Sequence, residues 1–138
     1  MAKSNEIDIS KLFSKQNEEE GKWYEPKVRG VGVGFEVKVY GPNSSAATIA
    51  QDKYQKAKDE VNKITNEKTK AEQTDRMLAE YAAALVCDIR PIGDKKLTMK
   101  AGGPEVTVRD IKEILYQAPV LASDIARFES NQNNFLSD

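Results

Sequence analysis

The stretch Asp75 to Ile89, DRMLAEYAAALVCDI, decides how the rest of this 138-residue chain has to be arranged. Leu78, Ala82, Leu85 and Ile89 recur at the spacing of one helix face. Met77, Tyr81, Ala83, Ala84 and Val86 widen that stripe until most of the circumference is apolar. A helix of that kind has to be covered on more than one side, so the segments before and after it become its covering layers. It is the expected core helix.

Upstream, Gly41 and Pro42 stop whatever precedes them, and Asn43, Ser44 or Ser45 can supply a helix N-cap. The 48 residues from Asn43 to Arg90 contain no Gly or Pro. Ala50, Tyr54, Ala57, Val61 and Ile64 form a narrow stripe at four-three-four-three spacing. A single helix through the whole region would run roughly 70 Å, which is too long for a compact domain. Two helices are expected instead, 45 to 64 and 71 to 90, joined near Thr65 to Lys70. Thr69 to Glu72 matches a capping box there, and Thr65 and Asn66 are weak helix formers. The alternative is one continuous helix whose first half pairs with another subunit. Six acidic and six basic residues between Gln51 and Asp75 read as a solvated face.

Before Gly41 the period changes to two. Val31, Val33, Phe35, Val37 and Val39 alternate with Gly32, Gly34, Glu36, Lys38 and Tyr40, the pattern of a half-buried strand. Trp23 to Glu25 can pair with it antiparallel, with Pro26 to Gly30 as the connection. Trp23, Tyr24 and Phe35 then anchor the ribbon to the helical layer. Gly30, Gly32 and Gly34 are spaced GxGxG, which is neither a dinucleotide fingerprint nor a phosphate loop. They mark a strand approached closely by other backbone.

Downstream, Pro91 and Gly93 end the core helix, and Arg90 is placed to meet its C-terminal dipole. A loop follows in which Leu97 and Met99 can form a short strand. Thr107 as N-cap, Asp110 three residues on, and the Val106 and Ile111 pair announce another helix, with Val108, Ile111, Ile114 and Leu115 on its buried face. It should end before Pro119. Leu121, Ile125 and Phe128 mark the last helix.

The ends are less apolar. Ile7, Ile9, Leu12 and Phe13 precede SKQNEEEGK, so residues 1–22 read as a flexible arm, either packed on the body or able to dock on a neighbour. Residues 131–138 are polar apart from Phe135 and Leu136 and read as a mobile tail, with or without a binding tip. Residues 23–130 are the expected single domain. The fold class is α+β, mostly α-helical: a short antiparallel β-ribbon packed on about four helices.

Composition narrows the chemistry. There are 21 Lys plus Arg against 22 Asp plus Glu, a net charge of -1, so no strong field favours polyanions and no nucleic-acid partner is expected. No apolar run approaches the ~20 residues of a membrane span, and the first ten residues lack a signal-peptide core. A soluble cytoplasmic protein without a membrane partner is expected. One cysteine, Cys87, and no histidine remove disulfide scaffolds, most zinc or copper sites, and the Ser-His and Cys-His nucleophile pairs. Cys87 lies among Leu85, Val86 and Ile89 and reads as a small buried hydrophobe. No catalytic, cofactor-binding or metal-ligating residues are assigned, and no enzyme is expected.

The order of local sequences is more informative. IDISKLF (7–13), EEEGKWYEP (18–26), VGFEVKVYGPNS (33–44), a charged helix, AEYAAALVCDIRPI (79–92) and VTVRDIKEILYQAPVLASDIARFESNQNNFL (106–136) together resemble the tail assembly chaperones of long-tailed bacteriophages. The resemblance runs through most of the chain and is thinnest over residues 50–72. It implies a non-enzymatic protein of the host cell cytoplasm that binds the tape measure protein and keeps that long helical chain soluble. It also implies recruitment of tail tube protein subunits, homo-oligomer formation, and a longer frameshifted product. The candidate partner-binding residues, chosen from the apolar ends of the chain, are Ile9, Leu12, Phe13, Phe135 and Leu136. The competing reading is a permanent virion component, such as a tail-completion or connector subunit.

Overall fold

A computed structural model describes residues 5–137; residues 1–4 of the expected arm and Asp138 of the expected tail lie outside them. After a 3-10 turn at Ile9–Leu12 the elements are α1 (Lys15–Glu20), β1 (Lys22–Tyr24), β2 (Lys27–Val28), β3 (Val31–Gly32) and β4 (Phe35–Val39). Then come α2 (Ser45–Asn62), α3 (Glu67–Ala84), β5 (Val86–Pro91), a 3-10 turn at Val108–Asp110, α4 (Ile111–Gln117), α5 (Pro119–Ser130) and a last 3-10 turn at Gln132–Phe135. The fold is α+β and mostly helical.

α3 is central, and α2, α4 and α5 all pack on it. Where α2 and α3 meet, Ala50, Tyr54 and Ala57 face Met77, Tyr81 and Ala84, and Ala79 and Ala82, on the other face of α3, are buried as well. The Ala50 to Ile64 stripe therefore faces its own chain, with Tyr54 packed on Tyr81 at 5.0 Å between ring centroids. Two helices replace the long one because Asn66, not Thr69, is the N-cap: its side chain accepts from the Thr69 N–H at 3.0 Å. Ser44 caps α2 in the same way, accepting from Ala47 at 3.1 Å.

The expected core helix stops at Ala84, and its last apolar residues belong to β5. Val86 to Arg90 reads equally well with period two, and its β-branched and charged residues find cross-strand partners on β4. Val37 lies opposite Ile89, Lys38 opposite Asp88 and Glu36 opposite Arg90. Arg90 is thus on a strand, not at a helix end; its Nε donates to Glu36 Oε1 at 3.0 Å and its guanidinium lies 3.8 Å from the Trp23 ring. The register shifts between Lys38 and Val39, leaving Cys87 as the extra residue of a bulge. Its Sγ lies 3.5 Å from the Lys38 carbonyl, and the side chain is half-buried rather than buried.

The ribbon is therefore one edge of an antiparallel sheet of order β1-β4-β5. Trp23 and Tyr24 pair with β4 as expected. The expected strand 31–39 is interrupted at Gly34, whose φ of 87° turns the chain, and β3 pairs with β2 instead. Arg29 (φ 54°) and Gly30 (φ 79°) make the two-residue turn of that hairpin, in which both central residues need positive φ. Leu97 and Met99 flank a lone bridge, Thr98 to Glu105. α4 and α5 follow the expected pattern: the Thr107 N–H donates to Asp110 Oδ2 at 2.9 Å, and Pro119 opens α5.

Both ends are tied to the body. The segment from Ser14 onward is part of the body, because α1 buries Glu18 and the Gly41 N–H donates to the Glu18 carbonyl at 2.9 Å. Residues 131–137 form a docked turn rather than a mobile tail, with Phe135 fully buried.

Candidate functional site

The sequence-level candidates are divided by the structure. Ile9, Leu12 and Phe13 are 63%, 69% and 59% exposed, and neighbouring Ile7 is 89% exposed. Phe135 is not on that surface. It is 0% exposed, with its ring 5.5 Å from Phe128, because the turn at Gln132–Phe135 folds it back onto α5. Leu136 is half-buried beside it.

What holds the apolar arm in place is a polar clamp between the two ends of the chain. Ser14 Oγ donates to Glu18 Oε2 at 2.7 Å, and Glu18 Oε1 accepts from the Asn43 N–H at 2.8 Å. Glu19 accepts from the Ser45 N–H at 2.9 Å, placing a carboxylate at the positive end of α2. From the other end, Asn17 Nδ2 donates to the Phe135 carbonyl at 2.9 Å, and the Ser137 N–H and Oγ donate to the Phe13 carbonyl at 2.8 and 2.9 Å. An open hollow of about 640 Å³ lies against this junction, lined in part by Phe13, Lys15 and Ser137. The arm thus leaves the body from a hydrogen-bonded root.

Two acids are buried here, one in the clamp and one near it. Glu18 and Glu129 are each 2% exposed. The Tyr81 hydroxyl donates to Glu129 Oε2 at 3.3 Å, while Oε1 is buried without a hydrogen-bond partner. Burial pushes the Glu129 carboxyl up from its ordinary value, the Tyr81 hydrogen bond opposes that, and the charge of Glu18 adds to it. Tyr81 is pushed up to about 12 by burial and by the Glu129 charge. Tyr24, which donates to Asp124 Oδ2 at 2.6 Å and stacks on Phe128 at 4.1 Å, is also raised to about 12, by burial first and that hydrogen bond second. Burial raises the Cys87 thiol as well, which keeps it protonated and a poor nucleophile. Among the described residues, no group of three or more His, Cys, Asp or Glu could hold a metal ion. The two tyrosine–carboxylate contacts tie α3 and β1 to α5.

A second apolar surface was not anticipated from sequence. An open groove of about 380 Å³ runs between the sheet, α4 and the loop after β5, lined by Phe35, Ile89, Leu97, Met99, Val106 and Ile114. Met99 is 58% exposed and Ile92, nearby in sequence, 41%. One feature could have indicated it: Leu97 and Met99, two apolar residues in a loop bounded by Gly93 and Gly102. Phe35, expected as an anchor of the ribbon, contributes to the wall of this groove.

No helix among the described residues is long and apolar enough to cross a membrane. Comparison of the chain with protein-family models, with curated proteins and with solved structures found no match.

Proposed function

We propose that this chain is a non-catalytic binding protein of phage tail morphogenesis, a tail assembly chaperone that covers apolar helical segments of the tape measure protein. It keeps that client soluble in the host cell cytoplasm and brings tail tube subunits to it. The observation that supports the reading best is the arm: four large apolar side chains, 59% to 89% exposed, carried on a charged body by a hydrogen-bonded root. Exposed apolar surface of that kind is characteristic of protein contact sites. The choice of client rests on the resemblance carried by the order of local sequences from IDISKLF to NNFL.

The test is co-expression with the tape measure protein, followed by size-exclusion chromatography with light scattering. The client should become soluble only with this chain and elute with it. Ile9→Ser with Leu12→Ser should abolish that effect while leaving the chain folded, because both positions are exposed. A client that stays insoluble while this chain elutes alone overturns the reading. Presence of the chain in purified particles would then point to a permanent virion subunit.

A further inference from the structure

We infer that the hollow between the β2–β3 hairpin and α5 is a docking site for an acidic peptide segment of a partner protein. The hollow is an open space of about 740 Å³, and it shares no lining residue with the hollow at the clamp or with the groove beside α4. The hairpin contributes Lys27 and Arg29. From α5 come Val120, Ser123 and Arg127, which recur at steps of three and four and so share one helix face.

The charge of this surface is one-sided. Its lining holds three cations, Lys27, Arg29 and Arg127, and one acid, Asp124, which is already committed. Asp124 Oδ2 accepts from the Tyr24 hydroxyl at 2.6 Å and from the Lys27 N–H at 2.8 Å, and Oδ1 lies 3.7 Å from Arg127. The acids nearest in sequence are turned elsewhere: Glu25 accepts from the Gly34 N–H at 2.9 Å, and Glu129 is buried against Tyr81. Lys27 and Arg29 are exposed and, among the described residues, make no ion pair. The Arg127 side chain is 78% exposed. A chain of net charge -1 thus gathers cations here without balancing them. Arg29 is also the one non-glycine among the described residues with positive φ, at 54°. Asparagine followed by glycine is the favoured pair in such a turn, so arginine there is a local strain, and strain of this kind gathers at binding sites.

The chemistry favours a peptide. Tyr24 and Phe128 stack on each other at 4.1 Å, and Phe128 meets Phe135 edge-on, so the ring faces that a nucleic-acid base would need are taken up with each other. A single oxyanion would leave most of the hollow empty. Val120, 57% exposed, offers an apolar contact beside the cations, and exposed Ser123 and Asn131 offer groups that bond a peptide backbone. The chain's own acidic run is not free to fill the hollow of another copy: Glu18 and Glu19 are bonded into the clamp, and Glu20 accepts from Gln16.

The test needs no client, so its outcome is independent of the function proposed above. Fluorescence anisotropy is measured on the full-length chain at low ionic strength, with short dye-labelled peptides in which glutamates flank a leucine. Exposed ion pairs are individually weak, so dissociation constants on the order of 0.1–1 mM are expected, rising with salt. Peptides with glutamine in place of glutamate, carrying the same dye, should not bind. Arg29→Asn is the diagnostic variant. It gives the hairpin its favoured turn, so Tm should hold or rise while affinity falls, a pair of signs that damage to the fold does not produce. Together with Arg127→Gln the loss should be roughly three- to tenfold, whereas Arg29→Lys should keep most of the affinity. Unchanged affinity in the double variant, or no binding of any glutamate peptide by the wild-type chain, overturns the inference. So does tighter binding of inorganic phosphate or of oligothymidylate than of the peptides, which would mark an oxyanion site or a single-strand site instead.

Discussion

Truncating Phe135 to alanine removes a ring that is 0% exposed and packed edge-on against Phe128, which in turn stacks on Tyr24. A buried Phe to Ala change costs about 3–5 kcal/mol when the site cannot collapse. Collapse is resisted here, because the turn that carries Phe135 is hydrogen-bonded on both sides: Asn17 to the Phe135 and Leu136 carbonyls, Ser137 to Phe13. The variant has two ways to respond. Keeping the turn docked leaves a cavity, and releasing the turn gives up those hydrogen bonds and uncovers the base of α1. Either way the loss should reach ~3 kcal/mol, which for a chain of this size is roughly 10 °C in Tm. Urea denaturation followed by circular dichroism measures it, and limited proteolysis distinguishes the two responses, since a released turn is cut first near its end. Phe13→Ala, at 59% exposure, is the control and should stay within about 0.5 kcal/mol. A loss below ~1 kcal/mol for Phe135→Ala would refute the docked turn and restore a mobile tail.

Glu129→Gln should stabilise the chain near neutral pH by on the order of 1 kcal/mol, because a buried carboxyl raised above its unfolded value contributes stability at low pH that is lost as pH rises through its folded value. Wild-type urea midpoints should therefore fall over that interval more steeply than those of the variant, and parallel curves would count against the assignment. Tyr24 and Tyr81, both pushed up to about 12, should ionise late in an ultraviolet titration, and the stability they contribute below about pH 10 should be lost between there and 12; normal titration of both would contradict their hydroxyl contacts. Gly41→Ala should cost about 1–3 kcal/mol, since a Cβ there collides with the side chain and backbone of Glu18; a neutral result by thermal melting would mean α1 is not seated where it lies.

Helix and strand identities were legible where one period had no rival. Val37 and Val39 alternate with charged residues and are buried in β4, and Leu121 and Ile125 lie on the buried face of α5. The reading fails where two periods fit the same letters. Leu85 and Ile89 continue the α3 stripe at helical spacing, yet Val86 to Arg90 also alternates, and the choice depends on Glu36 and Lys38, some fifty residues away, which offer Arg90 and Asp88 partners of opposite charge. Local periodicity carries no record of that pairing, so tertiary context overrides it. The end of the core helix was lost for the same reason that the third strand was missed. The helix break shows a milder version: Thr69 and Asn66 each make a plausible cap by composition, and only the approach of the backbone selects Asn66.

The candidate surface divides along the same line. Ile9, Leu12 and Phe13 were legible because an apolar cluster followed at once by a polar stretch has nothing local to bury against. Phe135 looks identical by that criterion, and it is the one residue of the set with no exposed surface. The difference lies in the partners: Asn17 and Ser14, some 118 residues upstream, hold the C-terminal turn through its Phe135 carbonyl and Gln132 side chain. Glu18, in a run of three acids that composition alone assigns to solvent, is buried because Ser14 and Asn43 satisfy it. An acidic run and an apolar tip thus exchange their expected places through one clamp. The result is an asymmetry between the two ends: Phe135 is committed to the core by that clamp, while Ile9, Leu12 and Phe13, a few residues from the same clamp, keep more than half of their surface exposed.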